Sequence, residues 1–153
     1  MESFAPSLDA YFARIGYHGP RAPTLETLHA ICHAQVQAIP FEALDVLLGR
    51  GVDLDPRAIE EKLIHRRRGG YCFEQNTLLL RVLTALGYDA RPLSGRVRFG
   101  RPRDVLPART HVFLRVEMGA RRGEDSWLVD CGIGSTSLTS AIRLRLDEEQ
   151  ATN

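Results

Sequence analysis

Apolar residues recur at intervals of three and four through the first half of the chain, which is the spacing of one face of an α-helix. Two of these stretches follow Ser7 and Thr24, both N-cap residue types, and a third follows an Asp-Pro step at residues 55–56. Gly16 and Pro40 stop the first two stretches. The four predicted helices lie between Ser7 and Gly16, Thr24 and Pro40, Asp55 and Leu63, and Cys72 and Gly87.

After residue 87 the apolar spacing changes to two, the period of a β-strand with one buried face. A polar turn at 119–125 separates two of these segments, so they should form a hairpin. The predicted strands cover residues 93–99, 111–118, 127–131 and 141–146. Because helices are followed by strands, the pattern predicts an α+β fold. We divide it into a helical lobe, residues 1–87, and a β lobe, residues 88–153.

Composition narrows the class of protein. With 153 residues, of which 44% are hydrophobic, the chain can form one domain or two small lobes that share a core. A net charge of +1 argues against nucleic acid or an anionic membrane as partner. No apolar run approaches the ~18 residues of a membrane-spanning helix. Residues 1–6 lack the basic and apolar regions of a signal peptide, so none is predicted.

The three cysteines, Cys32, Cys72 and Cys131, are odd in number and lack CxxC spacing. This pattern argues against a disulfide framework or a zinc site and predicts a reducing, cytoplasmic location. We expect Cys32 and Cys131 to be small buried hydrophobic residues. Apart from Lys62, every lysine or arginine position holds arginine, a composition that suggests a GC-rich bacterial gene.

The stretch RGGYCFEQN at residues 68–76 places a cysteine directly after a glycine pair, at the start of a predicted helix. At a helix N-terminus, unpaired N–H groups and the positive end of the helix dipole favour a thiolate. The inward stripe of this helix includes Cys72, Asn76 and Leu79, so the thiol should lie on the buried face. A buried cysteine at such a position more often serves packing, but the glycine pair favours a nucleophile.

His111 begins one predicted hairpin strand, and Asp130 lies at the end of the other. Cysteine, histidine and carboxylate together compose a thiol triad, in which the imidazole is the base and the carboxylate orients it. If Met118 pairs with Ser126, His111 and Asp130 are about three positions apart along the ladder, or ~10 Å. Another turn register or a bulge would bring them together. The simpler alternatives are a strand histidine and a carboxylate that binds the turn around Gly132.

These blocks resemble the arylamine N-acetyltransferases. The similarity runs through RGGYCFEQN at 68–76, Thr-His-Val at 110–112 and LVDCGIG at 128–134. Upstream, IPFEAL at 39–44 resembles the family's IPFENL element. The resemblance implies a helical lobe followed by a β-barrel-like lobe, with a cysteine-protease-like triad at their junction.

The same resemblance implies ping-pong transfer of an acetyl group from acetyl-CoA to an arylamine or hydrazine, without a metal. Cys72 would be the nucleophile that carries the acetyl group, His111 the base, and Asp130 the residue that orients the imidazole. Three further residues would line the acceptor pocket, namely Phe41, Phe99 and Ile133. Phe41 and Phe99 are otherwise ordinary core residue types.

The chain departs from the family at three points. Ile133 replaces the usual phenylalanine, which should widen the acceptor pocket, and Ala43 replaces the usual asparagine, which should loosen local hydrogen bonding. Family members usually continue into a third lobe that helps to close the coenzyme A cleft, whereas this sequence ends at Asn153. We therefore expect weak or no acetyl-CoA turnover, with the thiol of Cys72 still reactive, and either self-association through an uncovered second lobe or lower solubility.

Two other classes of function fit the same residues. One is a related thiol hydrolase or amide synthase, which would use the triad without acetyl-CoA. The other is a truncated, non-catalytic fragment or interaction module that keeps the fold. Exposure to acetyl-CoA followed by intact mass measurement separates the acetyltransferase from both.

Overall fold

The computed structural model describes residues 4–102, 104–121, 123–145 and 148–150, with helices in the first half and strands in the second. This order confirms the predicted α+β class. The helices are α1 (Leu8–Ile15), α2 (Leu25–Ala38), α3 (Leu44–Leu47), α4 (Pro56–Glu60) and α5 (Cys72–Ala85). The strands are β1 (Asp89–Gly95), β2 (His111–Glu117), β3 (Ser126–Val129) and β4 (Ile142–Arg143).

The first two helices begin and end where their sequence predicts. The Ser7 side chain accepts the N–H of Ala10 at 3.4 Å at the start of α1, and Gly16 ends it with a left-handed φ of 67°. The Thr24 hydroxyl accepts the N–H of Thr27 at 3.2 Å at the start of α2. These signals are local, so they can be read without knowledge of the tertiary structure.

The third predicted helix needs correction, whereas the fourth ends at its predicted stop. Helix α4 is continued by a π-helix, Glu61–His65, so the helical segment runs past the predicted end at Leu63. Helix α5 ends at Ala85 with Leu86 as its C-cap, and the predicted stop, Gly87, follows with a left-handed φ of 94°. The short helix α3 was not predicted, because none of its residues is buried and no inward face marks it in the sequence.

The strands form one antiparallel sheet in the order β1-β2-β3-β4. In the part of the chain that the structure describes, this sheet is open, so the expected barrel-like lobe is wrong there. Strand β4 holds only Ile142–Arg143 of the predicted 141–146, and Leu146 lies outside the described residues. Strand β1 ends at Gly95, which leaves Phe99 in the following loop. Strand β3 ends two residues before the predicted 131.

One hydrophobic core joins the helices to the sheet. Leu79 and Leu83 of α5 are fully buried together with Leu114 of β2 and Val129 of β3. Each such side chain stabilises the fold by roughly 1.5–3 kcal/mol relative to an exposed position. This packing fixes α5 against β1 and β2. The division into lobes at residue 87 stays a prediction.

Candidate active site

The segment before α5 is tied to the segment that follows α2. Gly70 pairs with Phe41 as a parallel β-bridge. The N–H of Gly70 donates to the Pro40 carbonyl at 3.2 Å, and the N–H of Glu42 donates to the Gly70 carbonyl at 3.1 Å. A Cβ at Gly69 would overlap the Pro40 carbonyl oxygen, so this close approach requires glycine. The glycine pair therefore allows the two backbone segments to lie in contact.

Two side chains of α5 hold the same segment. Glu74 Oε2 accepts the N–H of Tyr71 at 3.1 Å, which satisfies one of the donors that a helix start leaves unpaired. The side-chain amide of Gln75 donates to the carbonyls of Gly70 at 3.0 Å and Pro40 at 3.2 Å. The first residue of α5, Cys72, is thus presented from a firmly anchored turn and is 7% exposed.

His111 and Asp130 form the closest polar contact in the site. His111 Nε2 lies 2.6 Å from Asp130 Oδ2, and both residues are more than nine-tenths buried. His111 opens β2, where its ring stacks on Phe113 of the same sheet face with ring centroids 6.2 Å apart. Asp130 directly follows β3, where the regular strand has ended. A buried charge-assisted hydrogen bond of this length is strong.

The hairpin register explains why these two residues meet. Glu117, rather than Met118, pairs with Ser126, so the expected register is wrong by one residue. With the observed register, His111 and Asp130 are two positions apart along the ladder instead of three. Because β3 ends before Asp130, the Asp130 side chain can turn toward the His111 imidazole.

The electrostatic environment keeps the imidazole protonated. Hydrogen bonds to Asp130 and, next in importance, to the Cys72 side chain raise the pKa of His111 to about 9, although burial opposes this. The imidazole is therefore cationic at neutral pH. Since Nε2 faces Asp130, Nδ1 is the ring nitrogen that remains for Cys72. A cationic imidazole beside a cysteine stabilises a thiolate.

The start of α5 lies against both chain segments that carry these residues. Cys72 Sγ is 3.9 Å from the carbonyl oxygen of Thr110, which precedes His111. A Cβ added to Gly132 would lie only 2.8 Å from the Cys72 Cα, so the turn after Asp130 passes directly over the helix start. The structure thus brings Cys72, His111 and Asp130 into one buried site.

Asn76 orients Asp130, and sequence reasoning missed this role. Its Nδ2 donates to Asp130 Oδ1 at 3.0 Å and to the Val112 carbonyl at 2.8 Å. Its Oδ1 accepts the N–H of Cys131 at 3.1 Å. The N–H of Gly132 also donates to Asp130 Oδ1 at 3.0 Å. The one sequence signal was a polar amide on the otherwise apolar inward stripe of α5.

The residues predicted to line an acceptor pocket lie in different environments. Phe41 is 48% exposed and Ile133 is 37% exposed. The Phe41 ring borders Gly134, where an added Cβ would lie 3.6 Å from it, so Phe41 adjoins the segment that carries Ile133. Phe99, which is 90% exposed in the loop between β1 and β2, forms little of any pocket wall in this structure. The three roles stay predictions.

The described ranges contain no group of three or more His, Cys, Asp or Glu side chains that could hold a metal ion. None of the helices in these ranges is long and apolar enough to cross a membrane. Cys32 and Cys131 are buried free thiols, as expected of small hydrophobic residues.

Comparison with known proteins places the chain in a family. A family model described as N-acetyltransferase matches residues 24–153. The arylamine N-acetyltransferase of Escherichia coli (strain K12) is 48% identical over 147 residues, which cover 96% of this chain and 50% of that protein. The chain belongs to the arylamine N-acetyltransferase family. The resemblance expected from the sequence motifs is confirmed.

Other arylamine N-acetyltransferases are similar to this chain to a comparable degree. That of Mycolicibacterium smegmatis is 49% identical over 150 residues, or 97% of this chain and 54% of the relative. The structure of the Salmonella typhimurium enzyme matches with a TM-score of 0.88 at 43% identity, covering 97% of this chain and 53% of that one. The Mycobacterium marinum structure in complex with CoA matches with a TM-score of 0.88 at 43% identity, covering 95% and 54%. The chain spans about half the length of these arylamine N-acetyltransferases.

Proposed function

We propose that Cys72, His111 and Asp130 carry out ping-pong transfer of an acetyl group from acetyl-CoA to an arylamine or hydrazine. The observation that supports this best is the convergence of a buried cysteine, a cationic imidazole and a carboxylate, with His111 Nε2 2.6 Å from Asp130 Oδ2. Membership of the arylamine N-acetyltransferase family supports acetyl-CoA as the acyl donor.

In the first half-reaction, the Cys72 thiolate attacks the acetyl carbonyl carbon of acetyl-CoA and forms a new carbon–sulfur bond. The bond to the coenzyme A sulfur breaks, and the leaving thiolate takes the proton held by His111. The products are an acetyl-cysteine thioester, a neutral imidazole and free coenzyme A. Asp130 keeps the imidazole in position during this transfer.

In the second half-reaction, the nitrogen of the acceptor amine attacks the thioester carbonyl. His111 takes the proton from the attacking amine, and the Cys72 thiolate leaves, which restores the starting charges. An amine is a better nucleophile than water toward a thioester, and Cys72 is only 7% exposed. Both facts favour transfer over hydrolysis.

Backbone donors at the start of α5 would stabilise the negative oxygen of each tetrahedral intermediate. The N–H of Tyr71 is already bound by Glu74. We therefore assign this role to the N–H groups of Cys72 and Phe73, which lie in the first turn of the helix. The acceptor would lie beside the half-exposed side chains of Phe41 and Ile133.

Intact mass measurement after incubation with acetyl-CoA tests this function. We expect one acetyl group on the wild-type chain, located at Cys72 by peptide mass, and its release as the N-acetyl product when an aniline is added. Cys72→Ala should accept none. Cys32→Ala removes a buried thiol in α2, outside the site, and should be labelled like the wild type. Acetylation at another residue would contradict the assignment.

The same experiment distinguishes the alternative functions. Rapid loss of the acetyl group to water, with no gain in rate from added aniline, would identify a thiol hydrolase. Absence of acetylation despite an alkylatable Cys72 would identify an amide synthase with another donor or a non-catalytic module. Family membership makes acetyl transfer the favoured outcome.

Location and assembly complete the proposal. Three free cysteines suit a reducing compartment, so we place the chain in a bacterial cytoplasm. The loop that follows β1 exposes Phe99 and Leu106, at 90% and 71%, which favours weak self-association through the second half of the chain. Light scattering across a concentration series would detect such an association.

A further inference from the structure

A partly buried ionic cluster lies next to the start of α5. At its centre is Lys62, the only lysine in the chain, whose side chain is 14% exposed. Its Nζ lies 2.7 Å from Glu74 Oε1, 2.9 Å from Asp45 Oδ2 and 3.8 Å from Glu42 Oε1. One ammonium group therefore forms ion pairs with a carboxylate of α5, with Asp45 of α3 and with Glu42 just before α3.

Arg68 is the second cation of the cluster, and it pairs with Asp45 and Glu42 but not with Glu74. Its guanidinium lies 2.9 Å from Asp45 Oδ1 and 2.7 Å from Glu42 Oε1. Within the described residues, Lys62 is the one cation in ion-pair range of Glu74. Burial would lower the pKa of Lys62, but hydrogen bonds to Glu74 and Asp45 raise it. Lys62 therefore remains charged at neutral pH.

Glu74 connects this cluster to Cys72. The two residues are the third and first positions of α5, and the Glu74 side chain is 3% exposed. Glu74 Oε2 accepts the N–H of Tyr71, while Oε1 accepts from Lys62. An unpaired carboxylate at this position would oppose a thiolate in the same turn, because like charges repel strongly where water is excluded. With Lys62 in place, the carboxylate caps the helix as half of an ion pair.

We propose that Lys62 is a positioning residue for Cys72: it neutralises Glu74, which can then cap α5 without opposing the Cys72 thiolate. The inference rests on the proposed role of Cys72 as nucleophile. Two other charged groups face the thiol from the sheet. The His111 imidazolium carries the opposite charge to a thiolate, and Asp130 is hydrogen-bonded to His111.

Alkylation by iodoacetamide tests the role of Lys62 without any need for acetyl-CoA. The rate of modification at Cys72 is measured by peptide mass at neutral pH. Lys62→Met keeps an unbranched apolar side chain but removes the charge, and the rate should fall by roughly tenfold. Lys62→Arg should keep most of the rate. The matched control is Arg66→Met, which removes an exposed cation paired with Glu61 at 3.0 Å and should change nothing.

A double variant separates charge from packing. In Lys62→Met combined with Glu74→Gln, the glutamine oxygen can still accept the N–H of Tyr71 but carries no charge. The alkylation rate of Cys72 should return to within about twofold of the wild type, although the ion pair is absent. A rate that stays low in the double variant, or a wild-type rate in Lys62→Met with only a lower melting temperature, would overturn the proposal.

Glu74→Gln alone decides the question if Lys62→Met does not fold. It leaves the Lys62 charge near α5 without its carboxylate partner in that helix, so alkylation of Cys72 should be faster than in the wild type, and an unchanged or slower rate would overturn the proposal. The alkylation results can be interpreted separately from the proposed acetyl transfer. A chain that takes no acetyl group from acetyl-CoA, yet shows this dependence on Lys62, contradicts the acetyl transfer alone.

Discussion

At the residue scale, the contact of His111 with Asp130 makes the stability of the fold depend on pH. The pKa of His111 is about 9 in the folded protein, against about 6.5 in an unfolded chain. Folding therefore favours the protonated imidazole, and its contribution is complete below about pH 6.5 and lost as the pH rises through about 9. The loss in the free energy of unfolding is up to about 3 kcal/mol.

Urea denaturation of the wild type and His111→Gln, between about pH 6 and about pH 10, measures this contribution. The wild type should be the more stable protein at the lower pH, and its advantage should shrink as the imidazole loses its proton. Parallel stability curves for the two proteins would mean that Asp130 does not hold His111 as a cation.

Ile133 should influence the choice of amine more than the reaction with acetyl-CoA. The residue is 37% exposed, and the neighbouring Gly134 borders the ring of Phe41. Ile133→Phe would add a second aromatic surface there, so larger aryl amines should gain several-fold in kcat/KM relative to small hydrazines. Cys72 acetylation should change by less than about twofold. Equal changes in both half-reactions would show that Ile133 supports the site instead of contacting the amine.

At the element scale, the bridge between the segment after α2 and the segment before α5 depends on a missing side chain. A Cβ at Gly69 would overlap the Pro40 carbonyl oxygen and approach the Glu42 side chain at 2.9 Å. We expect Gly69→Ala to destabilise the protein by about 2 kcal/mol or more, because backbone must move. In the control, Gly119→Ala, the added Cβ would lie 3.2 Å or farther from its neighbours, so the loss should be smaller.

Chemical denaturation of Gly69→Ala and Gly119→Ala provides the stability comparison. Alkylation of Cys72 by iodoacetamide provides a second measurement, since the bridge positions the helix that presents the thiol. Equal stability in the two variants would show that the chain around Gly69 shifts at little cost.

Local signals account for the elements that could be predicted from sequence. Ser7, Gly16 and Thr24 act on the residues next to them, and α1 and α2 begin and end accordingly. Helix α3 lacks a buried face, so apolar spacing could not reveal it. The open sheet also escaped prediction, because strand closure depends on pairings that no single strand specifies.

In the candidate site, too, some residues could be identified from local sequence, whereas others depend on tertiary contacts. Cys72 was recognisable from its glycine pair and its place at a helix start. The meeting of His111 with Asp130 depended on a hairpin register that the polar turn does not reveal, and the prediction was wrong by one residue. Asn76 could not be assigned a role, because Asp130 and the Val112 carbonyl lie 54 and 36 residues away along the chain.

At the scale of the whole molecule, the site divides into a buried and an exposed part. Packing of α5 against β1 and β2 leaves Cys72 and His111 only 7% and 8% exposed. The residues proposed to contact the amine are far more open, since Phe41 is 48% and Ile133 is 37% exposed. The groups proposed to react are therefore held by the core, whereas the proposed acceptor contacts are not enclosed.

From this difference we predict that residues 1–153 carry out the first half-reaction readily but bind the amine of the second half-reaction weakly. Cys72 should accept an acetyl group from acetyl-CoA, because the groups proposed as nucleophile, base and orienting carboxylate already lie together. Transfer to an amine should saturate only above about 1 mM, since a half-exposed wall excludes little water from a bound aryl ring. Rapid mixing of the acetylated chain with increasing aniline, followed by intact mass, measures both quantities. Saturation at micromolar aniline would show that Phe41 and Ile133 close around the acceptor, and that their exposure without it does not limit binding.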